Sequence, residues 1–529
     1  MGALAKVFTR NRIAAAAIVL ALLSLALYAF APRIQTAIRD RTLAVLRARF
    51  ESDVQVSDFH VSVSPLVRVS IRGLVMRHKG RTDVPPLVEA REIRVHAYLL
   101  SLLLPKPHLS LIRLEGLQIH IPPRGSSTKP FLSRTDEDLA KKYPVVIREI
   151  DADDAVLVTL RAEPDKPPRE FPIHHLEMHD VSFDQPSEFH AMLTNPVPRG
   201  EIDSQGAFGP WQGNEPSLTP VNASYTLENA DMATLKGLKG TLASQGQFSG
   251  SLDSLNVQGK ADVPNFSLRT TDQPVPLETE FSAVVNGTNG DTILKSVAAK
   301  FLRTSLAVSG KVIDADPKVK GRSISVECAS NEARIEDLLR IAVKSDEPLM
   351  TGSARIKAKI DIPEGDSDLL DRLKLTGQFD VASGQFTSPE VQNKIDELSR
   401  KGQGQPKATD IDKVVSELSG SFRLSSGVVM FTDLHFAVTG ARLQLNGTYN
   451  IDTSEMDFHG KLELQAKLSQ TTTGVKSLLL KGADPFFKGK NAGTVLSIQI
   501  TGTKDNPSFG LDKGGGGKKE EAAPVKKGK

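Results

Sequence analysis

Residues 354–362 read Ala-Arg-Ile-Lys-Ala-Lys-Ile-Asp-Ile. Ala354, Ile356, Ala358, Ile360 and Ile362 alternate without a break with Arg355, Lys357, Lys359 and Asp361. A period of two places every apolar side chain of this stretch on one face of a strand and every charge on the other. The rhythm returns along the chain. Val67, Val69 and Ile71 alternate with Arg68, Ser70 and Arg72, and Leu117, Ile119 and Ile121 with Gln118 and His120. Leu462, Leu464, Ala466 and Leu468 alternate with Glu463, Gln465 and Lys467, and Leu496, Ile498 and Ile500 follow near the end. Strands do not alternate regularly with helices, which argues against a doubly wound parallel sheet. The expected fold is mainly β and antiparallel.

A few short amphipathic helices interrupt the strands. Ser388-Pro389-Glu390 is a helix start with proline at its first position, and Val391, Ile395 and Leu398 then form an apolar stripe closed by Gly402. Similar helices are expected over Asn331–Val343, with Asn331 as cap, and over Thr409–Leu418. Residues 33–50 read as a basic helix, with Ile34, Ile38, Leu43, Leu46 and Phe50 near a 3.6 period.

A degenerate repeat, apolar-x-Gly-x-apolar, centres on Gly259, Gly310, Gly377, Gly420, Gly447 and Gly460, and less strongly on Gly352. Each glycine has the parity of the apolar residues around it. Glycine inside a strand marks a bulge, a bend or a close backbone approach. A recurring inward glycine would let a long sheet curl around its apolar side. The other reading is a set of hairpin-turn glycines.

The 529 residues suggest three or four domains at roughly 150 each. Lys+Arg at 66 against Asp+Glu at 63 leaves a net charge of +3, which excludes a nucleic-acid partner held by bulk charge. The single cysteine, Cys328, excludes an internal disulfide framework and any zinc site of several thiolates. Aromatic residues are 5%, with 22 Phe but only five Tyr and one Trp, Trp211, so the chain is poor in the residues that suit wet polar recognition.

Ile13 to Ala31 read IAAAAIVLALLSLALYAFA, nineteen positions without a charge. At 1.5 Å per residue that is about 28 Å, enough to cross the hydrocarbon core. Lys6, Arg10 and Arg12 precede it, which favours a cytoplasmic N-terminus over residues 1–12. A cleaved signal peptide ending at Ala29-Phe30-Ala31 is the alternative, but the apolar stretch is long for one and Pro32 follows the cut. A single-pass anchor with the bulk of the chain outside is expected.

Motifs of chemistry are scarce. There is no nucleophile elbow, phosphate-binding loop or His-Glu-x-x-His. The nearest approach to a metal site is His174-His175-Leu-Glu177-Met-His179-Asp180. Ile173 and Val181 share the odd parity of His175 and His179, so a polar strand face is the plainer reading. Asp151, Asp153 and Asp154 read as a solvated turn, and Cys328 as a buried or inert thiol. No catalytic residue, metal or cofactor is expected, and the chain reads as a non-enzyme. Amphipathic strands must cover their apolar face in a sandwich, a barrel or a curled trough. A trough lined by Leu, Ile and Val suits acyl chains, which need apolar length and no hydrogen bonds.

Three regions resemble the AsmA-like family of Gram-negative envelope proteins, which includes TamB-related members. They are Phe50–Gly80 (FESDVQVSDFHVSVSPLVRVSIRGLVMRHKG) with the following PPLVEAREIRVHAYLLSLLLPKPHLSLIRLEGLQIHI, then Leu373–Gly404 (LKLTGQFDVASGQFTSPEVQNKIDELSRKGQG), and FTDLHFAVTGARLQLNGTYNI with the closing VLSIQITGTKDNPSFGLD. The likeness covers nearly the whole chain through degenerate motifs, and residues 150–350 match only in style. It implies a periplasmic, mostly β trough related to chorein-type bridge-like lipid transporters. The trough would be anchored in the inner membrane and act in phospholipid movement between membranes and in outer-membrane biogenesis. Its partners would be phospholipid or another acyl lipid, the inner membrane and other envelope proteins. Some relatives are linked instead to outer-membrane protein assembly, which leaves a scaffold that carries no lipid as the alternative. No catalytic residue transfers. Roughly 25 strands at ~4.8 Å would make a trough on the order of 120 Å long.

The expected layout is an anchor over 13–31, a chorein-like region over 33–150, middle sheet repeats over 151–350, an AsmA-like C-terminal region over 351–505 and a disordered Gly/Lys-rich tail over 506–529. By parity, the groove candidates are Val67, Val69, Ile71, Leu117, Ile119, Ile121, Ile356, Ile360, Leu462, Leu464, Leu468, Leu496, Ile498 and Ile500.

Overall fold

The computed structural model describes residues 35–512 apart from 37, 64–65, 103–105, 122–144, 161–167, 183, 317–318, 320, 346, 369–370, 408–413, 472–492 and 504–505. The expected anchor and the last seventeen residues lie outside the described part. Among the described residues no helix is long and apolar enough to cross a membrane. The fold is mainly β with a few helices.

Two compact units divide the chain. Unit 1 is Met1–Ala230 with Ser244–Gln258 and Val284–Gly290, and unit 2 is Asp231–Ala243, Gly259–Ala283 and Asp291–Lys529. Unit 1 holds β1 (Ser52–Gln55), β2 (Asp58–Ser62), β3 (Leu66–His78), β4 (Val88–Tyr98), β5 (His108–Leu109), β6 (Leu111–Glu115), β7 (Gln118–Ile121), β8 (Val146–Thr159), β9 (Arg169–Val181), β10 (Ser187–Pro196), β11 (Arg199–Phe208) and β12 (Pro220–Asp231). Helix α1 spans residues 38–50, and α2 is the single turn Leu99–Leu102. The 3.6 period of the basic stretch does what it should: Leu43 is buried in one cluster with Val54, Phe59, Ile71 and Leu74, and Ile38, Leu46 and Phe50 pack against it.

Among the described pairings of β1 to β11, neighbouring strands are antiparallel with one exception. The broken strand β5–β6–β7 runs antiparallel to β4 but parallel to β8. A parallel neighbour needs a long connection, and 24 residues separate Ile121 from Val146. Alternation within each strand carries no information about this pairing.

Ser52 faces His78 across β1 and β3, and His78 is only 5% exposed. Burial, reinforced by the charges of Lys79 and Arg81, holds the His78 imidazole down at about 4. The unfolded chain takes up this proton near pH 6.5, so the native state has its full share of stability above that value and loses it as pH falls toward 4. The loss is on the order of 3 kcal/mol. Urea unfolding followed through Trp211, whose ring centre lies 5.5 Å from that of Phe50, should show a lower midpoint at pH 4.5 than at 7.5. In His78→Gln this pH dependence should shrink; an unchanged slope would refute the assignment.

In unit 2 the strands are β13 (Leu238–Lys239), β14 (Thr241–Ser251), β15 (Ser254–Leu268), β16 (Val275–Val285), β17 (Thr292–Phe301), β18 (Thr304–Ile313), β19 (Ser323–Arg334), β20 (Met350–Ile362) and β21 (Lys374–Phe386). They continue with β22 (Ser416–Ser425), β23 (Val428–Val438), β24 (Ala441–Asn450), β25 (Glu455–Leu464), β26 (Thr494–Thr503) and β27 (Asn506–Leu511). Residues of β14, β15 and β16 are divided between the units. From β17 to β27 each strand pairs antiparallel with the next.

Helix α3 (Ile335–Ala342) follows β19, and α4 (Pro389–Gly402) follows β21. The second begins as the sequence indicates, with the Ser388 hydroxyl accepting from Val391 N. The first starts later than expected, because Asn331 still lies within β19 and Arg334 holds the cap position. The helix expected over Thr409–Leu418 does not extend to its end: Ser416–Leu418 open β22, and 408–413 lie outside the described residues. Leu468 does not continue β25, which stops at Leu464; it lies in a 3-10 turn, Leu468–Thr471. Asn506–Leu511, expected as the start of a tail, forms β27.

Candidate functional site

Register lines up the inward side chains of unit 2 into rows that run across the strands, and the rows differ in cover. Beside α3 and α4 lies the row Ala333, Ala354, Val381, Leu418 and Phe436, each opposite the next; all but Leu418 are buried. Two rows further from the helices, Cys328, Ala358, Gly377, Phe422, Phe431, Gly447, Phe458 and Ile500 stand opposite one another in turn. There only Ala358 is buried and the others are half-buried. The next row, Val326, Ile360, Leu375, Leu424, Val429, Tyr449 and Met456, is half-buried throughout. One rim of the apolar face is therefore closed, and the two rows farther from it stand half open apart from Ala358.

The helices close that rim. Ile335, Leu338 and Leu339 of α3 pack on Ala333, Met350, Ala354 and Val381. Ile395 and Leu398 of α4 pack on Val414, Phe436, Val438, Ala441 and Leu464. Buried polar groups fix both helices. Asp337 accepts from Arg303 N at 2.9 Å, the Thr304 hydroxyl at 3.0 Å and the Arg303 guanidinium at 3.2 Å. Glu336 accepts from Arg303, Arg334 and Gly352 N. Burial alone would raise the Glu336 carboxyl, but the amides of Glu336 and Gly352 and the Arg334 guanidinium hold it below its ordinary value. On α4, Gln392 accepts from Phe386 N and donates to Val414 O, and the Ser399 hydroxyl donates to Thr439 O at 2.7 Å. A Cβ on Gly402 would come 2.4 Å from Gly440 O, so this contact of helix with turn requires glycine.

The inward glycines make a second kind of close approach. Gly377, Gly420, Gly447 and Gly460 all sit on the apolar face, as their parity indicates, each opposite an apolar residue. Phe379 stands opposite Gly420, Phe422 opposite Gly377, and Phe431 and Phe458 on either side of Gly447. The rings meet one another at centroid distances of 6.1 Å (Phe379–Phe422), 6.4 Å (Phe379–Phe431) and 5.8 Å (Phe431–Phe458). These four phenylalanines form a floor of rings with no polar tips. Cys328 belongs to the same row, and burial pushes its thiol above the ordinary range.

The parity candidates divide by cover. Val67, Ile71, Leu117, Ile121 and Leu464 are buried, the first four in unit 1 and Leu464 beneath α4. Val69, Ile119, Ile356, Ile360, Leu462, Leu496, Ile498 and Ile500 are half-buried. Ile356, Ile360, Leu462, Leu496, Ile498 and Ile500 share the apolar face of unit 2, whereas the side chain of Leu468 lies outside the described set. The phenylalanine floor escaped sequence reading, although Phe379 beside Gly377, Phe422 beside Gly420 and Phe458 beside Gly460 were a signal for it.

On the outer face of unit 1, Asp151, Asp153 and His175 bring ligand atoms within 4.8 Å of one another. The aspartates are not in a turn: all three lie in β8, where Asp154 kinks the strand at φ 52°. Ile173 and His175 do not share a face either, because His174 is an extra residue against β10, with His175 opposite Met192 and Ile173 opposite Leu193. Ile173 joins a buried cluster, while His175 meets Asp153 at 2.9 Å, and that hydrogen bond raises its pKa. Arg113, 3.1 Å from Asp151 Oδ2, is a cation already in place that a metal would have to compete with.

No family model matches the chain, and no curated protein or solved structure matches it.

Proposed function

We propose that the chain is an inner-membrane-anchored periplasmic protein whose apolar β-groove takes part in phospholipid transport between the membranes and in outer-membrane biogenesis. The supporting observation is the gradient of cover across unit 2, where rows of aliphatic and phenyl side chains stay largely half open from β19 to β26. A closed sandwich would bury such rows completely, since interiors are packed to crystal-like density. A long apolar surface left half open marks a binding face, and one without convergent polar groups suits acyl chains. The uncharged stretch 13–31 and the resemblance to the AsmA-like family support the membrane and the compartment. A scaffold role in outer-membrane protein assembly is favoured by one feature, the edge strand β27, where Phe509 is 65% and Leu511 54% exposed.

Protein extracted in native membrane discs, stripped of annular lipid and analysed by mass spectrometry should release about one or more phospholipids per chain. A chain free of lipid, with adducts to barrel precursors from β27, would overturn the lipid reading in favour of the scaffold.

A further inference from the structure

Unit 2 holds a segment that runs from one rim of its sheet to the other. Strands β17–β21 share a rim away from α3: Thr292 is opposite Val312, Ile313 opposite Ser323, Ile324 opposite Ile362 and Asp361 opposite Lys374. The other rim carries α3 and the residues after it, with Met350 opposite Phe386. Residues 236–239 and 268–273 stand on this second rim, since Gln273 donates to Ser345 O, Arg269 N donates to Gly237 O at 2.9 Å and Leu238 stands opposite Leu268. Residues 363–368 leave the far end of β20. Even so, Asp366 lies 3.0 Å from Lys236, and Asp368 is paired with Arg269. The base of the segment is fixed, because Glu364 accepts from Ala315 N and Asp316 N. Six residues from Ile362 to Asp368 reach at most ~20 Å, well short of the length of the 13-residue β20, so the two rims approach each other here and the segment bridges them by the short way.

We propose that residues 363–368 form a strap over the groove. Lys236 and Arg269 would be the receiving site for the anionic head group of an amphiphile, held in the closed state by Asp366 and Asp368. The proposal rests on the lipid-binding reading of the same face. Chemistry favours an exchange. Both partners of the Lys236–Asp366 pair are largely exposed, and solvent-screened ion pairs hold weakly; Asp368 is only 9% exposed, but its partner Arg269 is open to solvent and to an incoming anion. A phosphate offers Arg269 a bidentate, charge-assisted partner, so it can replace the carboxylates and release the tip. An acyl chain could then enter sideways.

The test uses the full chain with Cys328→Ala. Arg269→Cys with Asp368→Cys, once oxidised, should slow uptake of a fluorescent phosphatidylglycerol from vesicles at least tenfold, and reduction should restore it. Asp366→Asn with Asp368→Asn, which leaves both cations in place, should speed uptake about threefold or more. If the parent takes up lipid and the locked form does so equally fast, the strap is overturned and the groove stands. Spin labels at Thr270 and Ser367, both exposed, give a readout that needs no lipid uptake. Their separation should grow with phosphatidylglycerol vesicles and stay unchanged with phosphatidylcholine vesicles. Growth with inorganic phosphate but not with vesicles would overturn the head-group assignment. No change under any of these additions would overturn the strap, and a parent chain that never takes up lipid would overturn the groove reading itself.

Discussion

Gly460→Val is expected to unfold the C-terminal end of the unit 2 sheet. A Cβ on Gly460 would lie 1.9 Å from Gln444 O, 2.8 Å from Gln444 C and 2.9 Å from Leu445 Cα. All three are backbone atoms of the paired strand, so no rotamer change relieves the contact, and β24 must part from β25. The pairs Leu443–Leu462 and Ala441–Leu464 would open with them, and Leu464 anchors the cluster under α4. Overpacking against side chains costs about 1–3 kcal/mol; a collision with backbone on a central strand should cost at least ~3 kcal/mol. Gly510→Val is the matched control. Its Cβ would meet only the Gln499 side chain, at 3.6 Å and beyond, which is ordinary contact. Thermal denaturation with limited proteolysis should show G460V cut within 441–503 while G510V resembles the parent. If the two variants melt alike, the close approach at Gly460 is not what shapes this sheet.

That glycine shows how far the sequence could be read. Its parity with Phe458 and Leu462 put it on the apolar face, and the register agrees, with Leu445 on one side and Ile498 on the other. Alternation also gave the strands around Val67, Ile356 and Leu496. It failed where one residue changes the count. The extra His174 turned His175 away from Ile173, and no local propensity of a histidine pair announces a bulge. It also failed on which strands are neighbours, since β6 and β8 carry nothing in their alternation that specifies a parallel pair. Parity separates inward from outward but says nothing of cover. Leu464 and Ile356 share the apolar face, yet only the tertiary placement of α4 buries one and leaves the other half open. The strap was illegible for the same reason: Asp366 and Asp368 lie 130 and 99 residues from Lys236 and Arg269, and only the tertiary fold brings them together.

Difference in cover along one face yields the sharpest expectation. A photo-reactive side chain at Ile356 or Ile360 would stand in a half-open row, whereas at Leu464, 7% exposed, it would be enclosed by α4, and at Lys357 it would face water. Bound acyl chains should therefore be caught at the first two positions and missed at the others. Bulk membrane would label without such a pattern, because all four positions lie within 110 residues of one another on a single sheet. The measurement is photo-crosslinking of the full chain in native membranes, with adducts identified by mass spectrometry. Phospholipid adducts from Ile356 and Ile360, with none from Leu464 or Lys357, are the predicted result; no adduct from the first two, or equal labelling at Lys357, would contradict it.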